Sequence, residues 1–355
     1  MSVQLRVVFD QVGLDADLAR AGAALTDGLI RTAPRGCVVS AIAPSGTEVA
    51  LAGVHEVRTL PLARRELAAA WQMGIAAGVG GGLIHSPTLL APLVRHDRLH
   101  DHDQTTVTLW DLCAWEAPET MPKTNVAWQR AMLKRAVKHA DAVVVPSHAM
   151  AERLGEIAPL GDRIRVIAGA GPNGFRALEK GAKVRADLGL PQRFVVITGD
   201  AMSLEGGFRA AARAGVEAVV LDAERQSDAA LRDLAATTGL PRDHAHIRGS
   251  LDDALRAATI SLAGAIVATS RAMSWPWRLI EAMVLGVPVV AVDSALHRDV
   301  IAEGGLLVAS GELSDAVCHV LGSGRDRLRV LGSDRAKSFS WASSAEQVWA
   351  LHAEL

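Results

Sequence analysis

The segment Trp277–Ala309 constrains the fold of this 355-residue chain more than any other part of the sequence. It opens with apolar residues at helical spacing and then reaches Gly286, a residue type that ends helices with a backbone conformation most side chains resist. Val287–Val292 follows as a continuous apolar run, which is expected of a strand covered on both faces. The segment therefore predicts a helix, a strand, a second helix and a second strand joined by very short connections.

The same alternation extends along the whole chain. Before residue 167 the strand candidates are Leu5–Phe9, Cys37–Ile42, Leu83–His85, Thr106–Trp110 and Ala142–Val145. After residue 191 they are Phe194–Thr198, Ala218–Leu221, Ala245–Arg248, Ala265–Ala268, Val287–Val292 and Leu306–Val308. Helical patterns lie between most of them, which predicts parallel sheets with crossover helices. The cluster GAGPNG separates the two groups because it cannot continue a helix or a central strand. The sequence thus predicts two doubly wound α/β domains.

Composition and charge argue against several classes of protein. The formal net charge is −2 and basic residues do not alternate with aromatic ones, so nucleic acid is not an expected partner. Cys37, Cys113 and Cys318 are too few and too widely spaced for a disulfide framework or a metal site, which favours a reducing cytoplasm. The first residues indicate a strand rather than a signal peptide, and no apolar run approaches the roughly 20 residues of a membrane span. We therefore expect a cytoplasmic protein.

Five segments in a fixed order carry a resemblance to a known family. They are His85–Leu93 (HSPTLLAPL), Val107–Pro122 (VTLWDLCAWEAPETMP), His139–Leu154 (HADAVVVPSHAMAERL), Arg165–Phe175 (RVIAGAGPNGF) and Asp334–His352 (DRAKSFSWASSAEQVWALH). Together with the segment around Glu281, they resemble the retaining GT-B glycosyltransferases of family four, the group 1 type.

The resemblance implies two Rossmann-like domains that face each other across a cleft. The first domain, residues 1–167, would bind the acceptor and would include the C-terminal helix 342–355, which crosses back to it. Residues 168–190 would form the linker. Residues 191–341 would form the domain that binds the nucleotide-sugar donor.

The donor side of the resemblance centres on Glu281, because a glutamate at this position holds the donor ribose in the family. In the sequence it is the lone acidic residue at the start of an apolar helix, where it needs a partner or could cap the helix. The resemblance also implies that Gly199 and the backbone of Ser274–Trp277 face the donor phosphates. Trp275 and Trp277 could instead pack as core anchors, or stack on a sugar.

Several departures from the family pattern affect this chemistry. Asp200 and Glu205 occupy the positions of an arginine and a lysine that neutralise the diphosphate, and each close repulsion would amount to roughly 1–4 kcal/mol. Met273 replaces a glutamate and cannot accept a hydrogen bond from a sugar hydroxyl. Asp15 adds a carboxylate to a phosphate-binding loop that retains only Gly13.

A further departure is Trp110, which replaces a histidine that lies near the sugar and the acceptor in relatives. Asp111 remains beside it. His85 begins the HSP segment, although a hydrogen-bonded structural histidine is the commoner role for such a residue. The catalytic residues are therefore unknown, and the cleft candidates are Asp111, Trp110 and His85.

Two surface segments have alternative interpretations. Arg95–Asp103 contains histidines and aspartates that could bind a metal ion, but mixed charges in a loop are usually solvated, and we expect no metal. Trp128–His139 predicts a helix with a basic outer face. Relatives use such a face to bind anionic lipid headgroups, so peripheral membrane contact is one interpretation and a solvated face is the other.

Two functions remain open, and whether the protein is an enzyme is undecided. The first is hexosyl transfer from a nucleotide-sugar, with no other cofactor, to a glycan, lipid or small acceptor, as the resemblance implies. The second is an inactive relative that acts as a partner of an active glycosyltransferase or as a sugar-binding module. The acidic residues Asp200 and Glu205 favour the second.

Overall fold

The computed structural model describes residues 3–10, 15–76, 78–96, 103–176, 182–224 and 226–355. The chain divides into two compact units. The first unit contains Met1–Ala170, Ala272–Trp275 and Phe339–Leu355, and the second contains Gly171–Arg271 and Pro276–Ser338. Each unit is built on one parallel sheet, which confirms the predicted fold class.

The first unit has a seven-stranded sheet in the order β3-β2-β1-β4-β5-β6-β7. Its strands are β1 (Val3–Val8), β2 (Cys37–Ala43), β3 (Val57–Thr59), β4 (Leu83–Ser86), β5 (Gln104–Thr108), β6 (Ala142–Val145) and β7 (Ile164–Val166). The sequence patterns missed β3 and β7, which lie at the two edges and contain no fully buried residue. Each has an arginine at its centre, VRT in β3 and IRV in β7, and so lacks the continuous apolar run that marks an interior parallel strand.

Among its described residues, the first unit has five α-helices before residue 170 and one after residue 340. They are α1 (Ala16–Arg31), α2 (Arg64–Gln72), α3 (Cys113–Glu116), α4 (Lys123–His139), α5 (His148–Ile157) and α14 (Trp341–Glu354). Helix α14 packs on α1, where a Cβ atom on Gly28 would lie only 2.7 Å from the carbonyl oxygen of Trp341. Trp349 Nε1 donates to the carbonyl of Leu29 at 3.1 Å. The C-terminal helix is thus part of the first unit.

The second unit has a six-stranded parallel sheet in the order β10-β9-β8-β11-β12-β13. Its strands are β8 (Phe194–Thr198), β9 (Glu217–Val220), β10 (Ala245–Ile247), β11 (Ile266–Ala268), β12 (Val289–Val292) and β13 (Leu306–Val308). All six correspond to strand candidates in the sequence. The interior strands β11 and β12 are completely buried, as their apolar runs predicted.

Helices cover this sheet in the alternation that the sequence predicted. They are α6 (Ala182–Asp187), α7 (Leu204–Ala214), α8 (Asp228–Thr237), α9 (Asp253–Leu262), α10 (Trp277–Val284), α11 (Ala295–Ile301), α12 (Leu313–Leu321) and α13 (Arg325–Ala336). Gly286 follows α10 with φ +65°, a left-handed conformation that costs glycine little. The chain therefore turns directly into β12.

In the described part of the chain, we find no helix that combines the length and the apolar composition needed to cross a bilayer.

Candidate functional site

The carboxyl end of the second sheet is where a doubly wound fold gathers its polar residues. The strand order changes direction between β8 and β11. The loop Gly199–Ser203 follows β8, and Thr269–Arg271 follows β11, so both lie at the same edge of the sheet. Ser203 Oγ lies 3.0 Å from Thr269 Oγ1 and joins the two loops.

Close packing at this edge requires glycine at position 199. A Cβ atom there would lie 2.6 Å from Ser203 Oγ and would also collide with the hydroxyl of Thr269. Packing alone therefore accounts for Gly199, and its predicted contact with donor phosphates stays a prediction.

The carboxylate of Asp200 lies in the turn that leads into α7. Its Oδ1 accepts hydrogen bonds from the backbone N–H groups of Met202 at 3.1 Å and Ser203 at 3.0 Å. Burial acts to raise the pKa of Asp200, but hydrogen bonds from Ser270 and Ser203 outweigh it and lower that pKa. The group is therefore ionised at neutral pH. It places a negative charge at the helix N-terminus, the end at which a helix favours an anion.

Glu205 behaves differently from Asp200, because its charge is compensated by an exposed neighbour. It forms an ion pair with Arg209, one turn further along α7. Both side chains are about half exposed, at 49% for Glu205 and 59% for Arg209. An exposed pair of this kind has little effect on the rest of the site.

Glu281 is the centre of a buried ion-pair network in the second unit. The residue is 1% exposed, and Arg256 of α9 is fully buried. Arg256 Nε lies 3.0 and 2.9 Å from the two carboxylate oxygens, and its Nη2 donates to Oε1 at 2.8 Å. Arg278 Nη1 donates to the same Oε1 at 3.0 Å. Three of these four contacts fall on Oε1 and one falls on Oε2, so both carboxylate oxygens accept from an arginine.

The two arginines extend the network outward. Arg278 Nε donates to Asp222 at 2.7 Å, and Arg256 Nη2 donates to Asp253 at 2.8 Å. The guanidinium of Arg256 also lies 5.5 Å from the ring centre of Phe175. Burial acts to lower the pKa of Arg256, but the hydrogen bond and charge of Glu281 outweigh it and raise that pKa. The guanidinium of Arg256 is therefore charged.

Sequence reasoning recognised that Glu281 needs a partner but did not identify Arg256, Arg278 or Asp222. Both arginines could have been found from the sequence. Arg278 precedes Glu281 by one helical turn, and Arg256 is the one arginine in the otherwise apolar helix DALRAATISL. The structure pairs Glu281 with these arginines. The alternative role as a helix cap is not seen, because Pro276 precedes α10 without a side-chain cap.

The segment that should face the donor phosphates makes its backbone hydrogen bonds within the first unit. Ser274 forms an antiparallel bridge with Asp111. The N–H of Leu112 donates to Met273 at 2.7 Å, and the N–H of Trp275 donates to the carbonyl of Trp110 at 2.9 Å. These backbone groups already have partners, so they are not free to bind a ligand in this arrangement.

The indole of Trp275 is 2% exposed and packs edge-on against Phe339 with 5.7 Å between ring centres. Trp110 is also buried, and its Nε1 donates to the carbonyl of Pro87 at 2.8 Å. A Cβ atom on Gly169 would lie 2.7 Å from Trp110 and 2.9 Å from Trp275. Trp110 and Trp275 therefore pack together over a glycine.

Trp277 is half-buried at the first position of α10, in the second unit. Its side chain is therefore not as enclosed as that of Trp275.

Asp111 lies in the first unit close enough to Asp15 for their charges to interact. Its Oδ1 accepts from the N–H of Cys113 at 3.0 Å. Burial is the main cause that raises the pKa of Asp111, and the charge of Asp15 raises it further. Asp15 caps α1 by accepting from the N–H of Asp17 at 2.7 Å. Gly13 of the same predicted loop lies outside the described residues.

His85 is fully buried and belongs to a chain of polar side chains. Its Nδ1 lies 2.8 Å from Thr106 Oγ1, which lies 3.2 Å from His352 Nε2. His352 Nδ1 in turn lies 2.9 Å from Gln104 Oε1. Burial, with the charge of His352, lowers the pKa of His85 to about 3, so the ring is neutral at physiological pH. This environment is that of a structural histidine.

Most of the loop Arg95–Asp103, for which metal binding was the less favoured interpretation, lies outside the described residues, namely 97–102. Within the described part, His96 Nε2 lies 3.0 Å from a carboxylate oxygen of Asp141. Asp103 accepts a hydrogen bond from the N–H of Gly82. Among the described residues, no three histidine, cysteine or acidic side chains are grouped to hold a metal ion.

Comparison with known proteins identifies part of the second unit. Residues 209–323 match the model of a family described as glycosyl transferases group 1. This part of the chain, about a third of its length, is therefore similar to group 1 glycosyl transferases. The matched residues include Glu281 and Trp277, and they begin after Asp200 and Glu205. No curated protein matches the sequence.

Solved structures match the chain over nearly its whole length. The sucrose-phosphate synthase from Thermosynechococcus elongatus is 19% identical with a TM-score of 0.70, over 99% of this chain and 98% of that chain. HepE from Anabaena, solved with UDP and glucose, is 16% identical with a TM-score of 0.69, over 99% and 100%. A Listeria monocytogenes protein assigned as a UDP-N-acetylglucosamine 2-epimerase is 14% identical with a TM-score of 0.60, over 99% and 95%.

These similarities show that the chain has the GT-B fold. The Listeria protein shares this fold under a different assigned reaction, so the fold alone does not determine the chemistry.

Proposed function

We propose that the group 1 glycosyltransferase domain of this chain no longer binds the diphosphate of a nucleotide-sugar, and that the chain is a non-catalytic partner of an active glycosyltransferase. The observation that carries the proposal is the ionised carboxylate of Asp200 at the N-terminus of α7. A phosphate charge brought within 4 Å of it would be repelled by about 4 kcal/mol at an effective dielectric constant of 20.

The network around Glu281 supports the same proposal. Glu281 already accepts from Arg256 and Arg278, and its side chain is 2% exposed, so a ribose hydroxyl would have to enter the buried ion-pair network to reach it. Arg256 is fully buried, and a buried guanidinium that loses part of its hydrogen bonding is costly. The carboxylate of Glu281 therefore fits a structural role, in which it compensates buried arginines of the second unit, better than a role in binding a ligand.

Calorimetric titration with UDP, GDP and ADP tests the first half of the proposal. We expect no binding heat for the wild-type protein at millimolar nucleotide. Asp200→Asn keeps an oxygen that can accept from the helix N-terminus and removes the charge. A gain in nucleotide affinity for this variant identifies Asp200 as the excluding group.

Glu205→Gln is the matched control, since it removes an equal charge from an exposed ion pair. The proposal is contradicted if the wild-type protein binds a nucleotide with micromolar affinity and Asp200→Asn binds it with the same affinity.

The partner role requires a separate experiment. The chain is purified from its native host under mild conditions, and any glycosyltransferase that accompanies it is assayed before and after removal of the chain. We expect transfer by the accompanying enzyme to fall when the chain is removed. Unchanged transfer argues against the partner role even if nucleotide binding is absent.

The second candidate function is hexosyl transfer from a nucleotide-sugar to a glycan or lipid acceptor. The observation that favours it is the group 1 match, together with the UDP and glucose bound by the Anabaena protein of the same fold. Arg271 is an exposed cation at the carboxyl end of β11 and could neutralise one phosphate. Release of UDP or GDP from a panel of nucleotide-sugars by the purified chain supports this candidate.

A further inference from the structure

The first unit has a groove beside helix α4, and none of its lining residues belongs to the candidate site. It has a volume of about 350 Å³, which lies in the range of roughly 300–1,000 Å³ typical of small-molecule sites. Its apolar walls come from α3, from α4 and from the end of α5: Trp115, Leu133, Val137, Ile157, Ala158 and Pro159. Such a surface suits an aliphatic group better than a sugar or a nucleotide.

Three cations of α4 form one side of the groove: Arg130, Lys134 and Lys138. They are exposed and four residues apart, so they lie in a row with about 6 Å of helix axis between neighbours. Like charges at this spacing destabilise a helix. Helix α4 contains no aspartate or glutamate to offset them. The row therefore favours an anion that comes from outside the helix.

The surroundings of the groove strengthen this positive side. Arg130 is held beside Trp115, because its Nε donates to the carbonyl of Ala114 at 2.8 Å. Two nearby carboxylates, Glu116 of α3 and Glu156 of α5, both pair with Arg153. Arg153 thus compensates one of these two negative charges, and the three cations of α4 outnumber the one that remains, so the charge that borders the apolar walls is positive.

We propose that this groove binds one aliphatic chain with an anionic head group, taken up as a single molecule from solution. The chain lies against Leu133, Val137 and Ile157, and the head group lies at the row of cations. A long-chain carboxylate has this chemistry. The site lies in the first unit, so it does not depend on whether the second unit binds a nucleotide.

The experiment compares three amphiphiles with the same chain, dodecanoate, dodecanol and dodecyltrimethylammonium, below their micelle concentrations. Binding is followed by tryptophan fluorescence, with a dodecanoate brominated at its terminal carbon as a contact quencher of Trp115. We expect dodecanoate to bind about fivefold tighter than dodecanol, and the cationic compound to bind weakest. The quenching should disappear in Trp115→Phe.

Two kinds of variant separate the walls from the charges. Val137→Phe and Ile157→Phe fill the groove from opposite walls, and each should abolish binding of both dodecanoate and dodecanol. Lys134→Gln combined with Lys138→Gln should weaken dodecanoate about fivefold and leave dodecanol unchanged. Lys123→Gln, on the same helix but outside the groove, is the matched control. Thermal unfolding verifies that each variant is folded.

Several results would overturn the proposal. Equal affinity for dodecanoate and dodecanol would exclude recognition of the anion. Binding that survives both groove-filling variants would place the chain elsewhere. A different result would assign the row of cations to a membrane surface. In that case the wild-type protein and both groove-filling variants bind phosphatidylglycerol vesicles, the double lysine variant does not, and no dodecanoate binds. Polyglutamate in place of the vesicles tests an acidic protein segment in the same way.

Discussion

Replacement of Glu281 by glutamine distinguishes a structural carboxylate from one that binds a donor. The substitution keeps the shape of the side chain and removes its charge. Arg256, which is fully buried, then retains only Asp253 as an ion-pair partner, and the Asp253 side chain is 46% exposed. We therefore expect the second unit to lose stability.

The magnitude follows from the burial of the pair. Removal of one partner of a buried ion pair costs about 3–5 kcal/mol, because the remaining charge is uncompensated. Asp253 reduces this cost, so we take about 3 kcal/mol. For a unit of this size, each kcal/mol lowers Tm by about 2–4 °C. The expected fall in Tm is therefore about 6–12 °C.

Scanning calorimetry measures the change, and hydrogen exchange of peptides from α9 and α10 localises it. The localisation matters because a chain with two units need not unfold in one step. Glu205→Gln is the control, and its exposed pair with Arg209 should contribute no more than about 1 kcal/mol. The double variant Arg256→Met with Glu281→Leu should recover much of the lost stability, since a buried pair can be replaced by apolar side chains.

One outcome refutes this reasoning. If Glu281→Gln changes Tm by no more than the control does, and at the same time weakens the binding of a nucleotide, then the carboxylate serves a ligand and the ion-pair network is incidental.

Two further predictions concern the first unit. Burial, with the charge of His352, lowers the pKa of His85 to about 3, and burial lowers the pKa of His352 to about 4. As the pH falls below about 6.5, these histidines are therefore protonated in the unfolded chain before they are protonated in the folded protein, which lowers the free energy of unfolding. Each histidine should cost about 2 kcal/mol of stability at pH 5, and His352→Phe should remove about half of the pH dependence of the urea midpoint between pH 7 and pH 5; an unchanged pH dependence would contradict the assignment. Gly169→Ala places a Cβ atom 2.7 Å from Trp110 and 2.9 Å from Trp275, and should destabilise the unit by about 1–3 kcal/mol in thermal unfolding; a wild-type Tm would show that the indoles move aside freely.

Much of the fold could be predicted because its interior strands are continuous apolar runs. Val289–Val292 and Ile266–Ala268 are buried on both faces, and their sequences contain no polar residue. Gly286 marked the end of α10 for a conformational reason that the structure bears out. The edge strands β3 and β7 escaped prediction because an arginine at the centre of each interrupts the apolar run, and no periodicity separates three such residues from a loop.

The candidate site was harder to predict because its partners are distant in sequence. Glu281 was recognised as a residue in need of a partner, but Arg256 is 25 positions away on another helix. The negative charge of Asp200 was evident, whereas its contact with the turn before α7 depends on where that helix begins. Likewise, nothing in the sequence indicates that Ser274 forms a bridge with Asp111, because residues far apart in the chain leave no shared local pattern.

The contact between α1 and α14 has a consequence for biosynthesis. Trp349 and Leu29 are joined by a hydrogen bond across 320 positions, so α1 is made long before the helix that packs on it. Domains generally fold in order as they leave the ribosome. Here the first unit cannot complete its packing until α14 has followed the whole second unit in translation.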